Sequence, residues 1–392
     1  MFRKMPFILA IVLFALICLD PILPLIVKQG LYSLSLSIKA VIVSLLPFII
    51  LGLLFKAAVL LSKGATKIIG MILVLVCCSN FMSTFLSHYV GMWIYHFDMS
   101  MILPKETQGL TALWSLEFPH LLANDKAMFI GIFLGIVASQ LQPERSVFIA
   151  NKVESVIGRV LKGIVYVIPL FVAGFVVKLQ SDGVIGVIIK DYTAIFVLIA
   201  LAQFSYILLA YWLLNNGHIK DFLSNVKNML PAAISGFSTM SSAASMPLTI
   251  IGAENNAKNK QIARSVIPAT VNIHLVGDCF AIPILAYAVL KSFGMVEPTL
   301  LHYLVFVMYF IFAKFSVAAV PGGGILVMLP ILETHLGFNA EMLSLITALY
   351  ILFDPVITCA NVLGNGAFAK MVDRLVTPTH KACANAASLV GD

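Results

Sequence analysis

The sequence predicts an all-α polytopic membrane protein with eight transmembrane helices and two re-entrant helical hairpins. Three observations carry that prediction. Of the 392 residues, 60% are hydrophobic and only 11% charged, with a mean hydropathy of +1.01. That leaves too little polar surface to wrap a water-soluble body of this size. Apolar windows of the roughly 20 residues needed to cross a bilayer core recur at 6–27, 40–61, 68–95, 128–142, 157–177, 184–214, 265–290 and 341–370. Two further apolar stretches in the second half are interrupted by clusters of helix breakers.

Lipid cannot satisfy free backbone N–H and C=O groups, so long uncharged runs are helices. A β-barrel would instead show short alternating segments. The first run is too long for a signal peptide and lacks a small-residue cleavage pattern, so it reads as a retained helix with no extracellular domain after it. With the N-terminus in the cytoplasm, the basic residues fall on one side: Arg3, Lys4, Lys63, Lys67, Arg145 to Lys162, Lys220, Lys227, Lys258 to Arg264 and Lys370 to Lys381. Acids such as Asp98, Glu106, Glu117, Asp182, Glu297 and Glu333 fall on the other. The net charge of +7 is then the positive-inside excess of a multi-pass inner-membrane protein with both termini cytoplasmic, and implies no nucleic-acid partner. The six cysteines sit mostly in apolar runs without metal-ligand spacing and read as packing residues.

The first interrupted stretch runs from Pro231 to Thr249, mixing Ser, Thr, Gly and Ala with apolar residues and carrying a second proline at Pro247. Two readings fit it. Backbone that turns within the membrane is tolerated only where it lines a cavity or is buried in protein; alternatively, small residues pack ordinary helices closely. The second stretch, from Pro298 to Gly337, has Val320-Pro321-Gly322-Gly323-Gly324 at its centre. It is long enough for two half-helices joined by a tip, and a single kinked span is the alternative. Charge sidedness favours the hairpin.

A third segment supplies polar side chains. Asp354, Thr358, Asn361 and Asn365 are spaced four, three and four apart, which places them on one helix face. Such a stripe inside a membrane helix is costly and marks a functional site. Paired broken segments point to a midplane site between them.

At these residues the chain resembles the dicarboxylate/amino acid:cation symporters, the glutamate-transporter homologues. Ser238 to Pro247 resembles their serine-rich first hairpin, Pro268 to His274 their unwound seventh helix, Val320 to Gly324 the tip of the second hairpin, and Asp354 to Lys370 the eighth helix. Phe118 to Lys126 is similar to the start of their fourth helix. The resemblance implies that Asp354 receives a substrate ammonium, assisted by Thr358, while Asn361 and the backbone around Ser241 and Ser242 hold a carboxylate. Val320, Pro321, Gly322 and Gly323 would close over both. It also implies a scaffold in 1–215, whose third and sixth helices move with the rest. A moving core would occupy 216–378, with hairpin 1 at about 221–255, helix 7 at 264–290, hairpin 2 at 298–338 and helix 8 at 341–376. A cytoplasmic tail, 379–392, would follow. Homotrimers and elevator motion are further implications, as is the absence of any cofactor beyond coupling ions.

Departures from the family pattern set the substrate expectation. Ile357 stands where acidic-substrate members carry an arginine, Val276 where they carry a threonine, and Met240 where some have a further arginine. A buried side-chain carboxylate would lack a cation, so the expectation is a small amino acid with a neutral side chain. An acidic amino acid or dicarboxylate is the alternative. Two carboxylates used for sodium appear as His274 and Asn365. Thr270, Asn272, Asn361 and Asn365 retain neutral oxygens for one sodium site. His274, with Asp278 one turn later, is a candidate proton carrier, the alternative being a neutral histidine bonded to a helix carbonyl. An enzyme is not expected, because no Gly-x-Ser-x-Gly elbow or acid-oriented base accompanies the serines. An uncoupled channel or transporter-like receptor is the remaining alternative.

Overall fold

A computed structural model of the chain describes residues 11–12, 14–16, 18–62, 67–97, 110–116, 118, 122, 124–181, 183, 185–317 and 322–377. Among these the fold is helical, with no strand. In chain order come α1 (Leu25–Ser62), α2 (Lys67–His96), α3 (Asn124–Leu141), α4 (Pro143–Ser181), α5 (Ile185–Leu214), α6 (Ile219–Thr239), α7 (Ser242–Asn256), α8 (Lys260–Thr270), α9 (Val276–Ser292), α10 (Leu300–Lys314), α11 (Gly323–Leu336) and α12 (Ala340–Val376). The stretches Gly70–His96, Tyr192–Leu214 and Glu341–Val376 are long and apolar enough to cross a membrane.

Most apolar windows are helices, with three differences. The window at 40–61 is only the end of α1, which starts at Leu25. Its polar start does not break the helix, because Ser33 and Ser37 donate to the carbonyls of Gln29 and Ser33 one turn back, at 2.9 and 2.8 Å. Such bonds satisfy a hydroxyl without leaving the helix. The window at 265–290 is two helices, α8 and α9, separated at 271–275. The window at 6–27 is described at 11–12, 14–16 and 18–27 and does not run on as one helix, because a 3-10 turn at Asp20–Ile22 and the residues 23–24 separate it from α1. The tail 379–392 lies outside the described residues.

The helices sort into two groups. α1 packs on α3 and α4, and Gly131 and Gly135 of α3 leave no room for a β-carbon against the backbone of Leu51 and Phe55, the close approach that small residues four apart allow. The remaining helices gather around α9 and α12. In α9 every residue except Lys291 is buried, as expected for a helix that is apolar all round. α9 packs on α2, α5 and α12, and α12 also meets α6, α7, α8 and α11. The polar stripe of α12 therefore faces a protein interior rather than lipid.

Candidate functional site

Hairpin 1 is α6 and α7, which join at a two-residue turn. Met240 ends α6 in the left-handed region (φ 51°, ψ 31°), rare for a side chain of this kind. Ser241 returns to extended backbone and caps α7, its Oγ accepting from Ala244 N at 3.3 Å. The turn is buried at Met240 and Ser242, at 2% and 6% exposure. It brings the N-terminus of α7, where backbone N–H groups point out of the helix, towards the middle of the protein. Gly236 of α6 lies against Thr358 and Val362 of α12, so this arm rests on the polar stripe.

The break between α8 and α9 is held by three side-chain amides. Asn80 of α2 donates to Ile273 O at 2.7 Å and accepts from Leu275 N at 3.3 Å. Asn361 Oδ1 accepts from Gly277 N at 2.8 Å, and Asn365 donates to His274 O at 3.1 Å. Buried backbone groups freed by unwinding need such partners. Gly277 has no room for a β-carbon against Ile357 O, so α9 starts in backbone contact with α12.

His274 lies inside this break, and that changes its partner. The expectation that it faces Asp278 one turn later requires the helix to resume at once, but α9 begins only at Val276. Its Nε2 is instead 2.8 Å from Ser79 Oγ, and its ring lies on Phe368 with centroids 4.4 Å apart. Nδ1 is buried without a hydrogen-bond partner among the described residues, and so is Asn272 Oδ1.

Along α12 the stripe is wholly engaged. Asp354 Oδ1 accepts from Thr358 Oγ1 at 3.1 Å, and Oδ2 accepts from Gly322 N at 2.9 Å. Asn361 Nδ2 donates to Asp278 Oδ1 at 3.1 Å. Asn365 Oδ1 accepts from Thr270 Oγ1 at 3.0 Å. All four stripe residues are at most 5% exposed.

Hairpin 2 is α10 and α11. Val320 and Pro321 lie outside the described residues. Gly322 precedes α11 in the left-handed region (φ 71°), which a glycine adopts without strain. At the end of α10, Lys314 Nζ lies 2.8 Å from Asp278 Oδ2, while the other Asp278 oxygen accepts from Tyr350 OH at 3.0 Å. Lys314 is not among the residues that the sequence singles out, and the expectation for Asp278 is that it faces His274 instead. A lysine inside an apolar run was the available signal.

Between the hairpins a cavity of about 30 Å³ is lined by Met240, Ser242, Asn272, Asp278, Tyr350 and Asn361, with Val271, Leu275, Val317 and Gly324 completing the wall. It has room for little more than a water. The structure thus brings together Met240, Ser242, Asn272, Asp278 and Asn361 among the expected residues. Thr270, His274 and Asn365 cluster at the helix break, and Asp354 and Thr358 sit under the second tip. Val276 and Ile357 are buried, at 2% and 0% exposure, and do not line the cavity.

The profile of the sodium:dicarboxylate symporter family matches residues 118–375. The chain belongs to the sodium:dicarboxylate symporter family. With its apolar helices it is accordingly a multi-pass membrane protein, and the segments read above as hairpins lie inside the matched region. It is 26% identical over 281 residues to excitatory amino acid transporter 1 of Mus musculus, a match covering 70% of this chain and 49% of that protein. The Homo sapiens protein of the same name matches to the same extent. An excitatory amino acid transporter of Onchocerca volvulus is 29% identical over 154 residues, covering 38% of this chain and 30% of the relative. The chain thus spans about half the length, or less, of these curated relatives.

The family's description names sodium, and the side-chain oxygens that the sequence offers for it do not suit it. A hard cation in a low-dielectric interior needs several convergent oxygens, preferably including an anionic one. Thr270, Asn272, Asn361 and Asn365 are all neutral. Asn361 Oδ1 and Asn365 Oδ1 each already accept a hydrogen bond, which leaves Asn272 Oδ1 as the orphaned oxygen of the set. The nearby Asp278 carboxylate is matched by Lys314.

Proposed function

We propose that this symporter carries a small amino acid with a neutral side chain across the inner membrane, held between the two hairpins. One observation carries the reading: the Asp354 carboxylate lies buried directly beneath the hairpin 2 tip, bound to Gly322 N. An ammonium is a stronger partner for a carboxylate than a peptide N–H. On arrival it displaces Gly322, so substrate binding and tip movement become one event. Thr358 orients the carboxylate, and the N-terminus of α7 at Ser241 and Ser242 offers N–H groups to the substrate carboxylate. In the bound state Asn361 divides its donor between Asp278 and that carboxylate. The cavity lining contains no lysine or arginine, and Lys314 is committed to Asp278, so a second substrate carboxylate would be desolvated without a counter-charge.

Movement is of the elevator kind, with α6 to α12 carried as a body together with α2 and α5 past a trimeric scaffold built from α1, α3 and α4. Both termini are cytoplasmic. The driving gradient is cationic, and protons are favoured over sodium because the side-chain oxygens proposed for sodium are neutral and those of Asn361 and Asn365 already accept hydrogen bonds.

The test is uptake by proteoliposomes across a panel of radiolabelled neutral and acidic amino acids and dicarboxylates. Accumulation of a neutral amino acid above its external concentration supports the proposal. Selective accumulation of glutamate, aspartate or succinate would establish the second reading, which the dicarboxylates in the family's description favour. Equilibration without accumulation would indicate an uncoupled channel or receptor.

A further inference from the structure

Substrate recognition as proposed above leaves one buried ion pair unused. Lys314 and Asp278 are 0% and 1% exposed, 36 residues apart in sequence and on different helices. The ammonium lies 2.8 Å from Asp278 Oδ2 and 4.6 Å from the centre of the Phe310 ring. Lysine is among the residues least tolerated in such surroundings without a partner.

What converges on Asp278 gives the pair its meaning. Tyr350 and Asn361, both of α12, donate to Oδ1. Lys314 reaches Oδ2 from the last residue of α10, the first arm of hairpin 2. Gly324, in the first turn of the second arm, has no room for a β-carbon because Asp278 Oδ2 and the Tyr350 hydroxyl occupy that space. Both arms of hairpin 2 therefore seat on one carboxylate at the start of the broken helix. Such a seat needs positive charge, because a carboxylate desolvated beneath the hairpin is otherwise uncompensated. Here the Lys314 ammonium supplies it, in the place beside the carboxylate that a cation would otherwise take.

We propose that Lys314 is a tethered replacement for a bound coupling cation: its ammonium neutralises Asp278, so that hairpin 2 seats on α9 without sodium. The inference rests on the reading that hairpin 2 closes the transport site. It identifies Lys314 as a positioning residue that removes one sodium from the closing step, and whatever cation gradient drives flux acts elsewhere.

Thermal unfolding of the purified full-length protein, compared in equal concentrations of sodium chloride and choline chloride, tests it. Wild type is expected to melt at the same temperature in both salts. Lys314→Ala, which leaves the Asp278 carboxylate orphaned, should melt several degrees lower in choline and recover most of the loss in sodium. Lys314→Met/Asp278→Asn, which removes both charges, should again be indifferent to the salt. Sodium-selective stabilisation of wild type overturns the proposal, as does a Lys314→Ala loss of equal size in both salts. Where Lys314→Ala cannot be purified in either salt, wild type and the double variant decide, salt-indifference of both supporting the proposal and sodium-selective stabilisation of either overturning it. Melting does not depend on which solute is carried. Absent amino-acid uptake with this salt pattern intact would sink the transport reading alone.

Discussion

Gly322 and Asp354 are joined across the mouth of the site: the tip amide of the second hairpin donates to a buried carboxylate of α12 at 2.9 Å. The same oxygen that would hold a substrate ammonium thus accepts from the hairpin tip. Asp354→Asn keeps the shape but removes the charge. Losing a hydrogen bond to a charged group costs about 1.5–3 kcal/mol, so the half-saturating substrate concentration is expected to rise roughly tenfold to a hundredfold. Uptake kinetics in proteoliposomes check this, and unchanged kinetics would remove Asp354 from the substrate site.

Two glycines set how closely the parts approach, and they should differ when replaced. Gly277→Ala drives a β-carbon into the Ile357 carbonyl, whereas Gly324→Ala meets the ends of two side chains, Asp278 and Tyr350. Backbone yields less than side chains. Overpacking of this kind costs roughly 1–3 kcal/mol, and Gly277→Ala is expected at the upper end or beyond, with Gly324→Ala below it. The order of their melting temperatures is the measurement.

Asn80→Ala orphans Ile273 O and Leu275 N together. Each buried unsatisfied group costs about 1–3 kcal/mol, so residues 273–275 should exchange amide hydrogen faster than in wild type. Exchange followed by mass spectrometry would show it. Protection unchanged at these positions would mean that the break is held by other contacts.

Asn365→Asp adds an anionic oxygen beside Thr270 and removes the donor now given to His274 O and Asn361 O. The expected result is a protein less stable in choline that sodium partly restores, the reverse of wild-type indifference. Melting curves in the two salts measure it, and a loss of stability that sodium leaves untouched would count against the cation logic of this cluster.

Much of this arrangement is legible in the sequence because breakers and polar residues in apolar runs are local signals. Pro321 to Gly324 and the serine cluster around Ser241 mark turns, and the spacing of Asp354, Thr358, Asn361 and Asn365 marks a helix face. Pairings are less legible. Nothing local ties Lys314 to Asp278 or Ser79 to His274, since both depend on which helices become neighbours. The extent of the break was also hidden. The resemblance puts the unwinding from Pro268 to His274, yet helix continues to Thr270 and resumes at Val276, with side-chain amides from α2 and α12 bonding Ile273 O, His274 O and Leu275 N in between.

Those amides have a mechanical consequence. Asn80 belongs to α2, and it grips both sides of the break through a carbonyl and an N–H only two residues apart. If the broken helix is displaced, α2 must travel with it or lose both bonds at once. Although it precedes both hairpins by more than a hundred residues in the chain, α2 is tied directly to the broken helix. Under the movement proposed above, the division between what travels and what stays then cuts across the order of the sequence, with α2 and α5 on the travelling side and α1, α3 and α4 on the other.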